Sequence, residues 1–242
     1  MGVLARLWDR VGVGSASDRD MYRRYGVRPS SAHPGWPEET QVLHVPGGAV
    51  RLRPVVKDDG PEWARLRRND EAILRAVEPT AIDSWDELHT VPAWLSVVDS
   101  LYESAGRGAS VPFAVECGGK FVGQVTVGGI QHGSLSTCWI GYWIASPFWG
   151  RGVGTAAVAL GVDAAMMAVG VHRVEATVLP ENGASISVLE NVGFHYEGEL
   201  VRSINIDGQW RDHLLYALTS EECPGGVVPR LESRGRGRRE SR

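Results

Sequence analysis

Hydrophobic and polar residues follow two periods that alternate along the chain. Some segments repeat every second residue, as strands do, and others every three to four residues, as helices do. The strand-like segments are "AVRLRPV" (49–55), "PFAVECGGKFVGQVTVGGI" (112–130), "CWIGYWIA" (138–145), "HRVEATVL" (172–179) and "GELVRSINIDGQWRDHLLYALT" (198–219). The helix-like segments are "DDGPEWARLRRND" (58–70), residues 93–104, "GTAAVALGVDAAMMAVG" (154–170) and "ASISVLENVG" (184–193).

Two of the strand-like segments contain hairpin signals. Gly118-Gly119 divides residues 112–130, and Asp207-Gly208, the strongest such signal in the chain, divides residues 198–219. Residues 138–145 are apolar with little alternation, which predicts a strand buried on both faces. The order of strands and helices predicts one mixed α/β domain built on a single central sheet.

The two ends of the chain differ from this pattern. Residues 1–47 mix charge, glycine, serine and proline and predict an N-terminal extension, partly disordered, with a short helix near residues 18–25. Residues 223–242 form a basic Gly/Arg-rich tail, which predicts disorder. The tail is either simply solvated or weakly attracted to RNA. The domain itself is expected over residues 48–222.

Composition narrows the class of protein. The chain has 242 residues and a formal net charge of −4, which argues against a surface built wholly for nucleic acid. Cys117, Cys138 and Cys223 lack the spacing of a disulfide framework or a zinc knuckle, so no metal is expected. No apolar run reaches membrane-spanning length and no signal peptide is evident, so we expect a cytoplasmic protein.

The stretch "SPFWGRGVGTAA" (146–157) places glycines between a predicted strand and a predicted helix. Free backbone N–H groups at a helix start bind phosphate. A dinucleotide-binding turn would come early in a βαβ unit, and a P-loop needs Gly-Lys-Ser/Thr, which is absent. The remaining interpretations are a purely structural turn and the pyrophosphate loop of an acyl-CoA-dependent N-acetyltransferase.

Residues 48–220 resemble the GNAT acetyltransferase superfamily. The loop of that family reads Arg/Gln-x-x-Gly-x-Gly/Ala, which Gly152 and Gly154 match, whereas Trp149 replaces the usual Arg or Gln. The segments "GYWI", "HRVEATVLPENGASISVLENVGF" and "IDGQWRDHLLYALT" resemble the RimJ/RimL branch, which acetylates N-terminal amines of ribosomal proteins. The last of these segments is especially similar to RimJ. "EPT" (78–80) is similar to a Trp-Glu-Pro stretch of that branch, with Val77 in place of the tryptophan.

The resemblance implies the GNAT fold, an α/β fold with one mixed, mostly antiparallel central sheet. This sheet is splayed at the strand before the pyrophosphate loop and carries helices on both faces. It also implies acetyl-CoA as co-substrate, with the loop amides on its pyrophosphate and the N–H near Ile144 facing the thioester oxygen. Strict alternation places one of Tyr142 and Trp143 in the core. The cofactor-binding residues implied are Trp143, Ile144, Trp149, Gly150, Arg151, Gly152, Val153, Gly154, Thr155, Asn182 and Ser185.

Acetyl transfer to an amine needs a neutral amine, a stabilised oxyanion and a hydrogen bond or proton for the departing thiolate. Many relatives donate to the thiolate from a tyrosine, but Leu189 stands at that position. Ser185 is the remaining candidate, or else caps a helix. Relatives often have a glutamate base where Trp139 stands, so the candidate base is Glu78. Glu78 could instead bind the substrate ammonium or be an ordinary surface carboxylate, and a water held by backbone carbonyls could then serve as the base. The expected structural residues are His172, His213 and an ion pair of Arg211 with Asp212.

Three functions follow from these residues. The first is transfer of an acetyl group from acetyl-CoA to the N-terminal α-amine of a protein, a ribosomal protein by resemblance, through direct attack of the amine on the thioester. The second is acetylation of a small amine such as a polyamine or aminoglycoside. The third is a non-catalytic acyl-CoA-binding module, which the missing tyrosine and Trp139 leave open. The expected partners are a protein N-terminal peptide and, through the tail, ribosomal RNA, with no membrane; a monomer and a homodimer both remain possible.

Overall fold

The structure, a computed structural model, describes residues 39–240. The predicted short helix near residues 18–25 and most of the predicted N-terminal extension lie outside the described residues. The same holds for Arg242 at the end of the predicted tail.

One sheet runs through the described residues. Its strands are β1 (Leu43–Val45), β2 (Gly48–Pro54), β3 (Ser110–Cys117), β4 (Lys120–Gln131), β5 (Thr137–Ile144), β6 (Arg173–Val178), β7 (His195–Ile206), β8 (Gln209–Thr219) and β9 (Arg238–Arg239). Their order is β7-β8-β6-β5-β4-β3-β2-β1-β9. Only the β5–β6 pair is parallel among these strands. The mixed, mostly antiparallel sheet and both predicted hairpins are confirmed.

Helices cover both faces of this sheet. They are α1 (Gly60–Asn69), α2 (Glu71–Arg75), α3 (Trp85–Leu88), α4 (Val91–Gly106), α5 (Val153–Asp163), which a π-helical turn Ala164–Val169 continues, α6 (Gly183–Val192) and α7 (Val227–Ser233). Gln124 of β4 accepts a hydrogen bond from Trp63 of α1, and its neighbour Val125 packs against Gly161 of α5. Because successive strand residues point to opposite faces, α1 and α5 lie on opposite sides of the sheet.

The small residues of α5 let that helix lie close to the sheet. Every residue from Val153 to Asp163 except Gly154 and Thr155 is buried. A Cβ on Gly161 would lie 2.8 Å from a methyl carbon of Val125 and 3.0 Å from one of Ile140. Only glycine permits that approach. At the start of α5, a Cβ on Gly154 would lie 3.8 Å from a side-chain carbon of Ile144, so this end of the helix lies over the end of β5.

The sheet splays between β5 and β6. The two strands pair only at Thr137↔Arg173, Cys138↔Val174 and Trp139↔Glu175. Beyond these pairs β5 continues to Ile144 and β6 to Val178 without pairing to each other. The predicted splay is confirmed, and the gap it leaves is the site described below.

The prediction that β5 is buried on both faces is wrong. Cys138, Ile140 and Ile144 are buried, but Trp139 is 49% exposed and Trp143 is half-buried. The face that carries Trp139 and Trp143 lines an open cleft instead of packing under a helix. The tryptophans therefore made the strand look like core, although one of its faces borders an open cleft.

The C-terminal segment is ordered as far as residue 240, which differs from the expected disorder. Val227, Val228 and Leu231 of α7 are fully buried. The Asp163 carboxylate accepts hydrogen bonds from the N–H groups of Val227 and Val228, at 2.6 and 3.1 Å. Strand β9 then pairs with β1, which itself lies inside the predicted extension. The segment therefore belongs to the packed domain despite its Gly/Arg-rich composition. No helix among residues 39–240 is long and apolar enough to cross a membrane.

Candidate active site

A cleft of about 610 Å³ opens where β5 and β6 separate. The ends of the two strands that do not pair with each other form its centre. Because the pairing is lost here, an extended ligand in the gap can be reached from both faces of the sheet. Among the described residues, no group of three His, Cys, Asp or Glu side chains could hold a metal ion.

The backbone of β5 presents polar groups to this gap. The Ala145 N–H donates to the Val122 carbonyl of β4 at 2.9 Å. Hydrogen-bonded and non-bonded pairs alternate in an antiparallel ladder, so the preceding residue, Ile144, directs its N–H away from β4. The Ile144 carbonyl accepts the indole N–H of Trp149 at 2.6 Å. The Ile144 N–H thus faces the gap, next to Trp149, whose indole is held by its hydrogen bond to the Ile144 carbonyl.

The glycine turn lies at the end of β5. Gly150 and Gly152 have φ of +69° and +84°, values in the left-handed region that favours glycine. The Gly152 carbonyl accepts the first helical bond, from the Ala156 N–H. The N–H groups of Val153, Gly154 and Thr155 form the first turn of α5 and have no partner within the helix. The predicted arrangement of strand, glycine turn and helix start is present, with three convergent donors.

The turn between β1 and β2 supports the glycine turn from behind. The Gly47 N–H donates to the Arg151 carbonyl at 2.9 Å. A Cβ on Gly152 would lie 3.3 Å from Cβ of Val45. This support comes from residues that the sequence assigned to an extension.

A second brace joins the glycine turn to the opposite wall. The Asp70 carboxylate, buried between α1 and α2, accepts from the Ser146 N–H at 2.8 Å and from the Ser146 hydroxyl at 2.6 Å. The sequence offered no local signal for this pair. It fixes the start of the glycine turn relative to α1, the helix that carries Arg67.

Ser185 lies at the start of α6, on the α5 side of the cleft. Its N–H donates to the side-chain oxygen of Asn182 at 3.1 Å, so Asn182 is the N-cap. Its hydroxyl oxygen lies 2.7 Å from the Tyr142 hydroxyl of β5. Leu189 is buried one turn further on. The sequence missed this partnership, because it weighed Tyr142 only as a neighbour of Trp143.

Burial raises the pKa of Tyr142 to about 12, against the opposing effect of its hydrogen bond with Ser185. The phenol therefore keeps its proton at physiological pH. Two acceptors of Ser185 lie within reach of that proton, the hydroxyl oxygen at 2.7 Å and the carbonyl oxygen at 3.2 Å. When the phenol donates to the hydroxyl oxygen, the serine hydroxyl is free to donate into the cleft.

Glu78 lines the other side of the cleft, where Arg67 binds it. The two guanidinium nitrogens Nη1 and Nη2 of Arg67 donate to the two carboxylate oxygens at 2.5 Å each. The guanidinium carbon also lies 5.1 Å from the ring centre of Trp85 and 5.2 Å from that of Trp143. Glu78 is therefore held rigidly, and its remaining lone pairs face the cleft.

The expected structural residues behave differently from one another. His172 is exposed, contacts Glu221 at 2.8 Å and lies outside the cleft. The expected ion pair of Arg211 with Asp212 is wrong. Asp212 accepts from the Arg202 N–H and Arg211 pairs with Glu181, because neighbouring strand residues point to opposite faces. His213 lines the cleft.

The structure thus gathers Trp143, Asn182, Ser185 and Glu78 around one cleft. The other predicted residues lie at the cleft's end, from Ile144 to Thr155. Within the cleft lining the sequence missed Tyr142 as a partner of Ser185, the Arg67 clamp, and His213 as a cleft residue. Only His213 had a local signal, a polar residue on an apolar strand.

Comparisons with known proteins agree with this geometry. A family model described as "Acetyltransferase (GNAT) domain" matches residues 49–195. The probable N-acetyltransferase YjcK of Bacillus subtilis is 29% identical over 178 residues, which cover 73% of this chain and 97% of that protein. The [ribosomal protein uS5]-alanine N-acetyltransferase of Escherichia coli is 29% identical over 144 residues, 58% of this chain and 74% of that protein.

A solved structure is similar over most of the chain. Mycobacterium smegmatis RimJ in complex with CoA-disulfide superimposes with a TM-score of 0.83 at 47% identity. The match covers 85% of this chain and 98% of that one.

Proposed function

The chain belongs to the GNAT acetyltransferase family, and we propose that it transfers the acetyl group of acetyl-CoA to the N-terminal α-amine of a ribosomal protein. One observation carries the proposal. A splayed cleft ends at a phosphate-competent helix start, in a chain 47% identical to M. smegmatis RimJ. The family predicted from residues 48–220 is confirmed, and acetyl-CoA is its co-substrate.

The segment from Trp149 to Thr155 binds the pyrophosphate of acetyl-CoA. The first-turn amides of α5 suit its negative charge, and the partial positive charge of the helix start adds to their attraction. The pantetheine lies in the gap beside β5, where the Ile144 N–H meets the thioester oxygen. Asn182 contacts the pantetheine, and Trp143 lines the gap beside it.

Ser185 donates a hydrogen bond to the departing sulfur. Its hydroxyl faces the cleft from the α5 side and is oriented by Tyr142 at 2.7 Å. Such an interaction strengthens as the sulfur becomes negative, so it stabilises the transition state more than the bound thioester.

Glu78 binds the α-ammonium of the acceptor. The carboxylate lies on the α1 side of the cleft, fixed by Arg67, and offers lone pairs on a side chain that is 28% exposed. An α-amine has a pKa of about 8, against about 10.4 for lysine, so more of it is neutral near pH 7. An α-amine therefore demands less from the site than a lysine does.

A panel of acceptors tests the function. The purified protein is given acetyl-CoA with short peptides that begin with Ala, Ser or Met, with N-terminally blocked lysine-containing versions, and with spermidine, and free thiol is measured. We expect thiol release with free N-termini and not with blocked peptides. Activity confined to blocked peptides or spermidine contradicts the proposal that the acceptor is an N-terminal α-amine. Tight acetyl-CoA binding without thiol release for any acceptor indicates a binding module.

A matched pair of variants locates the acceptor site. Glu78→Gln should raise the KM for the peptide at least about tenfold, because a charge-assisted contact is lost, while acetyl-CoA affinity stays unchanged. Glu103→Gln removes an exposed carboxylate paired with Arg107 and should change neither value. Equal effects of the two substitutions would show that Glu78 does not bind the acceptor.

The C-terminal segment adds a weak contact with ribosomal RNA. Arg234 and Arg238 are exposed on the packed segment, so their charge is presented from a fixed surface. Replacing both with Gln should reduce ribosome co-sedimentation at low salt and flatten its salt dependence. The control replaces Arg65 and Arg107, which are exposed elsewhere. Co-sedimentation that falls equally in the control excludes a specific contribution of the segment.

A further inference from the structure

His213 of β8 is a buried histidine whose ring faces the cleft. The residue is 3% exposed and lines the cleft beside Ile204 and Ile206. Its Nδ1 lies 3.2 Å from the Arg211 carbonyl oxygen and 3.3 Å from the Ser203 hydroxyl. Because a carbonyl only accepts, Nδ1 carries the proton of the neutral ring, and Nε2 keeps a lone pair. Within residues 39–240, Nε2 has no hydrogen-bond partner.

Strand register places His213 on the acceptor side of the cleft. Its neighbour Leu214 pairs with Val178 of β6. Val178 shares the face of Val174, which pairs with Cys138 of β5, and therefore also the face of Tyr142. His213 points the opposite way, to the face of Trp139 and Trp143. The cleft thus has His213 and Glu78 on one side and the hydroxyls of Tyr142 and Ser185 on the other.

Of the described residues that line the cleft, four have titratable side chains: Arg67, Glu78, Tyr142 and His213. An arginine does not give up its proton in a protein. Tyr142 keeps its proton, and both oxygens of Glu78 are engaged by Arg67. His213 is the group with a free basic atom.

We propose that His213 is the general base that takes a proton from the acceptor ammonium, an inference that rests on the proposed acetyl transfer. Nε2 accepts one proton from the ammonium, and the freed electron pair forms the N–C bond to the thioester carbon. The C–S bond then breaks and its pair stays on sulfur. The second surplus proton of the nitrogen goes to that sulfur, and the proton on His213 passes to solvent. Ammonium and thioester thus become amide, thiol and one proton.

His213→Asn tests this role, because the amide nitrogen can still donate to the Arg211 carbonyl while the Nε2 atom is lost. We expect kcat/KM for the peptide at pH 7 to fall at least about 100-fold, as for loss of a general base, with acetyl-CoA affinity unchanged. The deficit should narrow above pH 8 to 9, because the amine, with a pKa of about 8, is then neutral without help. The matched control is His172→Asn, outside the cleft.

Two results would overturn the proposal: activity of His213→Asn within about threefold of wild type, far from the loss that general-base removal brings, or a deficit that is the same at every pH. His213→Gln is measured in parallel in case one variant does not fold. The wild-type protein gives a further readout that needs no variant. The acid limb of kcat should match an NMR titration of the His213 ring in the acetylation-competent complex, and a mismatch overturns the assignment.

Failure of the proposed function can be distinguished from failure of the His213 proposal. If the wild-type protein acetylates spermidine and no peptide, the α-amine proposal fails. The same comparison of His213→Asn with His172→Asn is then made with spermidine, since any ammonium must lose its proton before attack.

Discussion

The hydroxyl oxygen of Tyr142 lies 2.7 Å from that of Ser185, although the two residues are 43 positions apart. Tyr142 comes from the end of β5 that does not pair with β6, and Ser185 from the first turn of α6. Their contact places two hydroxyls on the α5 side of the cleft, one helical turn before the buried Leu189. In the proposed reaction the phenol orients the serine, and the serine hydroxyl donates to the departing sulfur.

Ser185→Ala should lower kcat about 10- to 100-fold with little change in acetyl-CoA affinity, because an interaction made mainly in the transition state is lost. Tyr142→Phe should lower kcat about 3- to 10-fold, and the double variant should be no slower than Ser185→Ala, because the two hydroxyls act as one unit. Steady-state kinetics and acetyl-CoA titrations measure both quantities.

The control is Tyr102→Phe, which removes a hydroxyl bonded to the Val55 carbonyl outside the cleft lining. Additive losses in the double variant would show that Tyr142 does not act through Ser185. Unchanged turnover with weaker acetyl-CoA binding would make Ser185 a binding or capping residue.

Gly152→Val should raise the dissociation constant of acetyl-CoA at least about tenfold, because a branched side chain at φ +84° disturbs the turn that directs amides to phosphate. Isothermal titration measures the effect. Gly108→Val introduces a side chain at φ +70° with no atom within 4 Å and lies outside the cleft. That variant has a comparable backbone strain and should bind acetyl-CoA normally. Equal loss of affinity in both would show that general destabilisation, not the turn, is responsible.

His89 should make the protein less stable in mild acid. Burial lowers its pKa from the ordinary value of 6.5, and the nearby Arg67 adds to this. The unfolded chain therefore takes up a proton as the pH falls through about 6.5, whereas the folded protein does so only at lower pH. Stability is full above pH 7.5 and declines below 6.5 until the folded pKa is passed. The slope is at most about 1.4 kcal/mol per pH unit.

Urea unfolding between pH 5 and 8 measures this slope. Whatever its stability at pH 7.5, His89→Gln should show a flatter dependence than wild type. An identical slope would assign the acid sensitivity to other groups.

Much of the fold could be predicted because its signals are local. Asp207-Gly208 and Gly118-Gly119 define hairpins through turn geometry alone, and both occur where expected. The glycine turn was found for the same reason. The phosphate contact proposed for this turn uses main-chain N–H groups, so Trp149 in place of Arg or Gln leaves the glycine pattern recognisable.

The side-chain partnerships could not be predicted, because they depend on how distant elements pack. Asp70 and Ser146 are 76 positions apart, and Arg67 reaches Glu78 only because α1 and the chain after α2 meet over three tryptophans. The sequence also did not show that one face of β5 lines the cleft, because an apolar strand beside an open cleft has the same composition as a strand buried on both faces.

The C-terminal segment contains a helix signal in its sequence, but its Gly/Arg-rich composition favoured a prediction of disorder. Val227, Val228 and Leu231 have the spacing of one helix face, and all three are fully buried. The surrounding glycines and arginines made the segment look disordered. Because α7 covers α5 and β9 extends the sheet beside β1, removing the segment exposes α5, the helix whose first-turn amides we propose bind phosphate.

Truncation after Glu222 should therefore destabilise the whole domain and not merely shorten a tail. The graded variant is Leu231→Ala, which deletes a fully buried side chain and should cost about 2–5 kcal/mol. For a domain of this size we expect a fall in Tm of about 5–15 °C. Arg234→Gln, on the exposed end of the segment, is the control and should leave Tm unchanged. Differential scanning calorimetry with and without acetyl-CoA measures the effect. A truncated protein with wild-type Tm and wild-type acetyl-CoA affinity would show that α7 and β9 contribute nothing to the fold, and the buried contacts of Asp163 with Val227 and Val228 would then have no energetic weight.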